Sequence, residues 1–156
     1  MEILTTPADR FENIRGFDFP TQYARVSDTE GGHLRIAYRD IGPHDAPVVV
    51  MLHGEPTWSF LYRDVVPPVS AAGYRVIVPD LVGFGASDKP TRQADHTYAR
   101  HVEWIRALLL DHLALTDIAL LCQDWGGLIG LRIAAENLDR FSALIVSNTG
   151  LPTGDF

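Results

Sequence analysis

Hydrophobic and polar residues alternate early in the chain. Leu34, Ile36 and Tyr38 fall on one side and Arg35, Ala37 and Arg39 on the other, the period-2 pattern of a strand with one buried face. Four later segments are apolar without alternating: APVVVMLHG (46–54), YRVIVPDL (74–81), TDIALLCQD (116–124) and FSALIVSNT (141–149). Each is short, rich in β-branched residues and closed by Gly, Asp or Asn, as expected of parallel strands covered on both faces. Helical spacing separates them. A mixed segment over 57–72 ends at Gly73, and residues 99–113 put Val102, Ile105, Leu109 and Leu113 on one stripe. The order β-α-β-α-β-α-β predicts an open, doubly wound, mostly parallel α/β sheet, whose ligands bind beyond the carboxyl ends of the strands. Functional residues are therefore sought just after each strand.

Composition narrows the class. The 156 residues are 46% hydrophobic and 21% charged, which suits one globular domain with a real core. Residues 1–156 contain no internal repeat or low-complexity tract and are read as part of a single domain. A formal charge of −7 without a Lys/Arg run gives no electrostatic basis for nucleic acid or anionic membrane, so a neutral small molecule is the expected partner. The lone Cys122 cannot form an internal disulfide, and the start MEILTTPADRFENIRG has no leader-like apolar stretch. The apolar runs are too short to span a bilayer. A cytoplasmic protein is expected.

Two strand ends carry the chemistry: His53-Gly54-Glu55-Pro56, and Gln123-Asp124-Trp125-Gly126-Gly127 followed by the apolar LIGLRIAAE. In a nucleophile elbow one strained residue projects above the sheet between strand and helix, and small neighbours let the backbones approach. Cys122, Gly126 and Gly127 are those neighbours around Asp124. The serine of the Gly-x-Ser-x-Gly elbow is replaced by Asp124, so no serine esterase is encoded here. A carboxylate suits attack on an sp³ carbon bearing a leaving group, which gives a covalent ester that must then be hydrolysed. The backbone N–H groups of Trp125 and Glu55 are placed to form the oxyanion hole of that second step. The indole N–H of Trp125 is a donor suited to a departing halide. The helix starting near Gly126 turns its positive end toward the Asp124 carboxylate. Simpler readings exist: Asp124 as a helix cap, Trp125 as core packing, and Glu55 as a solvated loop carboxylate.

HGEPTWSFLYR, VPDLVGFGASDKP, HTYARHVEWIRALL and QDWGGLIGLRIAAE, in that order and spacing, resemble the haloalkane dehalogenases of the α/β-hydrolase superfamily, and the likeness covers nearly the whole chain. The resemblance implies an α/β-hydrolase fold and hydrolysis of carbon–halogen bonds without cofactor or metal. It makes Asp124 the nucleophile, Trp125 one of two halide-binding residues, and Glu55 a flank of the oxyanion hole whose side chain contacts the hydrolytic water. It also implies a helical cap, later strands, a general-base histidine, its acidic partner and a second halide-binding tryptophan. None of these has a counterpart here, because LPTGDF (151–156) stands where the cap would begin. The chain is thus expected to be an N-terminal half that is inactive alone, with haloalkane and halide as the partners of the whole enzyme.

Two rival readings stand beside it. Epoxide hydrolases share the elbow Asp and an HG-x-P loop, but Gln123 stands where that family usually has His. A non-catalytic fragment or pseudoenzyme accommodates the missing base. The six histidines are assigned structural roles: His33, His44 and His96 in polar turns, His101 and His112 on a helix, and His53 supporting the oxyanion loop. Asp80 and Asp88 are expected to shape the Gly-Phe-Gly turn. Cys122, Trp58, Trp104 and Phe60 are expected to pack, Trp58 and Phe60 with reach toward the cavity.

Overall fold

The structure, a computed structural model, describes residues 1–150. The described residues form eight strands: β1 (Ile3–Leu4), β2 (Gln22–Ser27), β3 (His33–Ile41), β4 (Val48–Leu52), β5 (Arg75–Pro79), β6 (Lys89–Pro90), β7 (Ile118–Gln123) and β8 (Phe141–Ser147). Among the described residues the helices are α1 (Val66–Ala71), α2 (Tyr98–Arg106) and α3 (Trp125–Glu136), with several short 3-10 turns. The main sheet runs β2-β3-β5-β4-β7-β8, and β1 pairs with β6 in a small separate ladder. The four apolar segments are the parallel strands, β5 with β4, β4 with β7 and β7 with β8, while β2–β3 and β3–β5 are antiparallel.

Alternate side chains of the parallel strands divide the core. Val48, Val50 and Leu52 of β4, Ile77 of β5 and Ile118, Leu120 and Cys122 of β7 pack with Val102, Ile105, Ile129 and Ile133 of α2 and α3. Val49, Met51, Val76 and Val78 face the other way, onto Tyr62 and Val66 of the α1 side. Helices on both faces explain why these strands read as continuous apolar runs. The sheet reverses direction around β4: the chain leaves β4 toward β5 on one side and returns to β7 on the other. A crevice opens beyond the carboxyl ends at such a switch point, and both chemical motifs end there.

Three expectations are adjusted. The early strand is longer, His33–Ile41, and has a partner, β2, that its weaker pattern did not announce. The helix expected over 99–113 is α-helical only to Arg106. It continues as a π-helical turn, Ala107–His112, with Leu113 N–H donating to Leu108 C=O and Leu108, Leu109 and Leu110 all buried. β8 was expected to be covered on both faces, yet its Leu144, Ile145 and Val146 are each about half exposed, 51–52%. No described strand pairs with its outer edge. The segment 151–156, where the cap was expected to begin, lies outside the described residues.

Candidate active site

β7 ends at Gln123, and Asp124, the single residue between it and α3, takes φ 52° and ψ −127°. Positive φ in a residue with a Cβ costs on the order of 1–3 kcal/mol and persists only where its surroundings hold it. They do so here by hydrogen bonds at both ends of the residue. Asp124 N–H donates to Asn148 C=O at 3.1 Å, and Asp124 C=O accepts from Thr149 Oγ1 at 2.7 Å and from the N–H groups of Gly127 and Leu128. The carboxylate does not cap α3, since no side-chain cap bond forms. Instead Oδ1 accepts the N–H of Glu55 at 2.8 Å. That removes the helix-cap reading and joins the two strand-end motifs in one site.

The loop after β4 is shaped by His53, which is fully buried. Its Nε2 accepts the N–H of Leu81 at 2.9 Å, so the proton sits on Nδ1 and is donated to Gly54 C=O at 2.9 Å. Burial holds this imidazole below its usual pKa, against smaller opposing effects of Gly54 C=O and Asp80. Both ring nitrogens are engaged, so His53 supports the loop as expected. A peptide group is planar and trans, so fixing Gly54 C=O also fixes the direction of Glu55 N–H on the opposite edge. Close approach then demands glycine twice. A Cβ on Gly54 would run into the Asp124 carboxylate, and one on Gly126 into the carbonyls of Leu52 and His53.

Asp80 and Asp88 act as the expected loop-shaping groups. Buried Asp80 accepts Ser59 N–H at 3.0 Å, Ala86 N–H at 2.9 Å and the Arg39 guanidinium at 2.7 Å, tying together the loops after β4 and β5. Asp88 holds Arg35 through its backbone N–H and guanidinium. Trp58 and Phe60 stack on each other and pack against Phe17. Trp104 is buried with its indole N–H on Asp28.

Trp125 is the first residue of α3 and is 43% exposed, so it is not a core residue. It and Glu55 border a cavity of about 440 Å³ whose apolar wall includes Leu81, Phe84, Tyr98 and Ile129. His96 and His101 also line it. Their rings stack, with His96 Nδ1 and His101 Nε2 3.3 Å apart and His96 Nε2 2.9 Å from Pro90 C=O. Burial, then the neighbouring His96 and Arg100, holds His101 down to about 4. The sequence assigned both histidines to ordinary structural roles. Their five-residue separation across a turn and a helix start carried no sign that they share a wall of this cavity.

A parallel-stranded crevice, a strained carboxylate at a strand-to-helix elbow and a backbone donor from the loop after β4 define the α/β-hydrolase architecture. Residues 47–155 match the family described as alpha/beta hydrolase fold, and the chain belongs to it. Within that family the chain is 55% identical to a haloalkane dehalogenase of Psychrobacter cryohalolentis over 99% of its own length and 51% of the relative's. It is 54% identical to one of Mycobacterium marinum, over 98% of this chain and 51% of that one. Among solved structures, a tetrameric haloalkane dehalogenase of Paraglaciecola agarilytica superposes with TM-score 0.89 at 42% identity, covering 97% of this chain and 50% of that chain. Epoxide hydrolases from hot-environment metagenomes superpose less closely, with TM-score 0.73 at 30% identity over 85% of this chain and 44% of theirs. The chain spans about half the length of the curated relatives it matches.

Proposed function

We propose that these residues are the nucleophile-bearing part of a single α/β-hydrolase core domain that hydrolyses haloalkanes to alcohol and halide. The observation that carries the reading is the Asp124 carboxylate, which is free of any helix-capping role and accepts Glu55 N–H beside the half-exposed Trp125. In the first step Asp124 Oδ attacks the carbon bearing the halogen. A C–O bond forms, and the C–halogen bond breaks with its electron pair leaving on the halide, which the Trp125 indole N–H receives. In the second step water adds to Asp124 Cγ. The negative charge on the carbonyl oxygen is met by Glu55 and Trp125 N–H, and the ester C–O bond breaks to give the alcohol. One proton of the water is lost and the other ends on the alcohol, so R–X and H₂O become R–OH, H⁺ and X⁻. The Asp124 carboxylate is restored with one oxygen from water.

A cavity whose exposed lining is mostly apolar suits an uncharged alkyl chain better than a charged substrate. His53 is committed at both ring nitrogens, so the reading assigns the water's proton to a base in the part of the enzyme that these residues do not cover. Among the described residues no helix is long and apolar enough to cross a membrane, in keeping with a small-molecule substrate met in water, and the cytoplasm is the proposed site of action.

The test is a matched assay of the protein expressed from its whole reading frame, with bromide release from 1-bromobutane set against diol formation from styrene oxide. Bromide release alone is expected. Diol formation without bromide release would reassign the nucleophile to epoxide opening, and neither product would leave a non-catalytic binding role.

A further inference from the structure

The two N–H groups assigned to the oxyanion hole belong to two peptide groups, and each has its carbonyl edge anchored by a side chain, one from the preceding residue and one from beyond another strand. The Gly54–Glu55 peptide is anchored by His53 Nδ1, 2.9 Å from Gly54 C=O. The Asp124–Trp125 peptide is anchored by Thr149 Oγ1, 2.7 Å from Asp124 C=O. Thr149 follows β8 and is half-buried. It packs directly on Gly127, where an added Cβ would run into Thr149 Oγ1, Cβ and Cγ2. As the first residue of α3, Trp125 has no partner within the helix for its N–H, which is therefore available to a ligand.

We propose that Thr149 is a positioning residue for the oxyanion hole: its hydroxyl fixes and polarises the Asp124–Trp125 peptide as His53 does the Gly54–Glu55 peptide. This rests on the dehalogenase reading. Planarity transmits the constraint, since a carbonyl held on one edge of a trans peptide holds the N–H on the other. A donor on the carbonyl also makes that N–H a stronger donor in turn. The helical donors Gly127 and Leu128 belong to α3 and move with it. Thr149 instead ties the peptide to β8, a different element, and so restrains rotation of the elbow as a whole.

The two chemical steps separate this role from packing. Alkylation of Asp124 removes negative charge from the carboxylate oxygen that these N–H groups meet, whereas hydrolysis of the ester builds it up there, so only the second step gains from stronger donors. Losing one direct oxyanion donor slows a reaction by about 10²–10³; a donor that acts through the peptide is assigned less, about 10-fold. Rapid-quench bromide release from 1-bromobutane and intact mass would be followed in the protein expressed from its whole reading frame. Thr149→Val, which keeps the shape against Gly127 but loses the hydroxyl, should keep displacement near wild type and slow hydrolysis about 10-fold, so the butyl adduct accumulates. Thr149→Ser, which keeps the hydroxyl and loses the methyl, should restore the wild-type ratio of the two steps. If Thr149→Val does not fold, Thr149→Ala is read in the same way.

A wild-type ratio in Thr149→Val, equal slowing of both steps, or a Ser variant more impaired than the Val variant would overturn the proposal in favour of packing. Wild-type protein that neither releases bromide nor forms an adduct would instead overturn the dehalogenase reading, and this inference with it.

Discussion

The N–H of Glu55 lies 2.8 Å from Oδ1 of Asp124, although 69 residues separate them in the chain. Adjacent parallel strands make the meeting possible: β4 and β7 pair with Leu52 beside Cys122, so the residues just beyond each end face one crevice. The approach depends on glycines whose absent side chains leave the space that backbone and carboxylate occupy.

Two of those glycines should fail in different ways when enlarged. In Gly126→Ala the new methyl meets the carbonyl groups of Leu52 and His53, backbone that cannot swing aside. A loss on the order of 1–3 kcal/mol is expected, read as a lowered denaturation midpoint. In Gly54→Ala the methyl meets the Asp124 side chain, so bromide release should fall more than stability does. A Gly126→Ala protein with an unchanged midpoint would mean that the elbow has room for a Cβ at this position.

Trp125→Phe keeps an aromatic ring beside the cavity and deletes the N–H. Bromide affinity, followed by fluorescence quenching, and the displacement rate should each fall by about 10–100-fold for one lost hydrogen bond to a charged group. Unchanged affinity would reduce Trp125 to a wall of the cavity.

Much of this site was legible before the fold was known, because its parts are local. A β-branched run closed by His-Gly or Gln-Asp, followed by small residues, signals a strand end turning sharply, and four such runs in a row signal the parallel sheet. β2 was less legible: its Gln22, Arg25 and Ser27 are exposed edge positions around only two buried residues, Ala24 and Val26. Thr149 and the His96–His101 pair were not legible. A threonine after a strand and two histidines around a helix start are common, and only the packing of β8 on the elbow and of α2 beside the cavity gives them neighbours worth noting.

Acid should weaken the fold through His101. Its folded pKa of about 4 lies below the ordinary 6.5, chiefly because it is buried. Between these values the unfolded chain takes up the proton and the folded chain does not. The stabilisation is therefore complete above pH 6.5 and is lost as pH falls toward 4, on the order of 3 kcal/mol in all and about 2 kcal/mol of it between pH 7 and pH 5. His53, lowered by burial, acts with the same sign. Thermal unfolding at pH 7 and pH 5 should show a steeper loss for wild type than for His101→Gln. An equal loss in both would place the titrating group elsewhere.

A covalent ester at Asp124 is the central step of the proposed reaction, and the oxygen atoms report it directly. A single turnover of 1-bromobutane would be run in ¹⁸O-water with protein in excess, using the protein expressed from its whole reading frame. The product alcohol and the peptide containing Asp124 would then be weighed by mass spectrometry. If Asp124 attacks carbon and water attacks Cγ, the butanol carries ordinary oxygen taken from the carboxylate and the label appears in Asp124. Labelled butanol with an unlabelled Asp124 would mean that water displaces the halide itself, contradicting the nucleophilic role given to this residue.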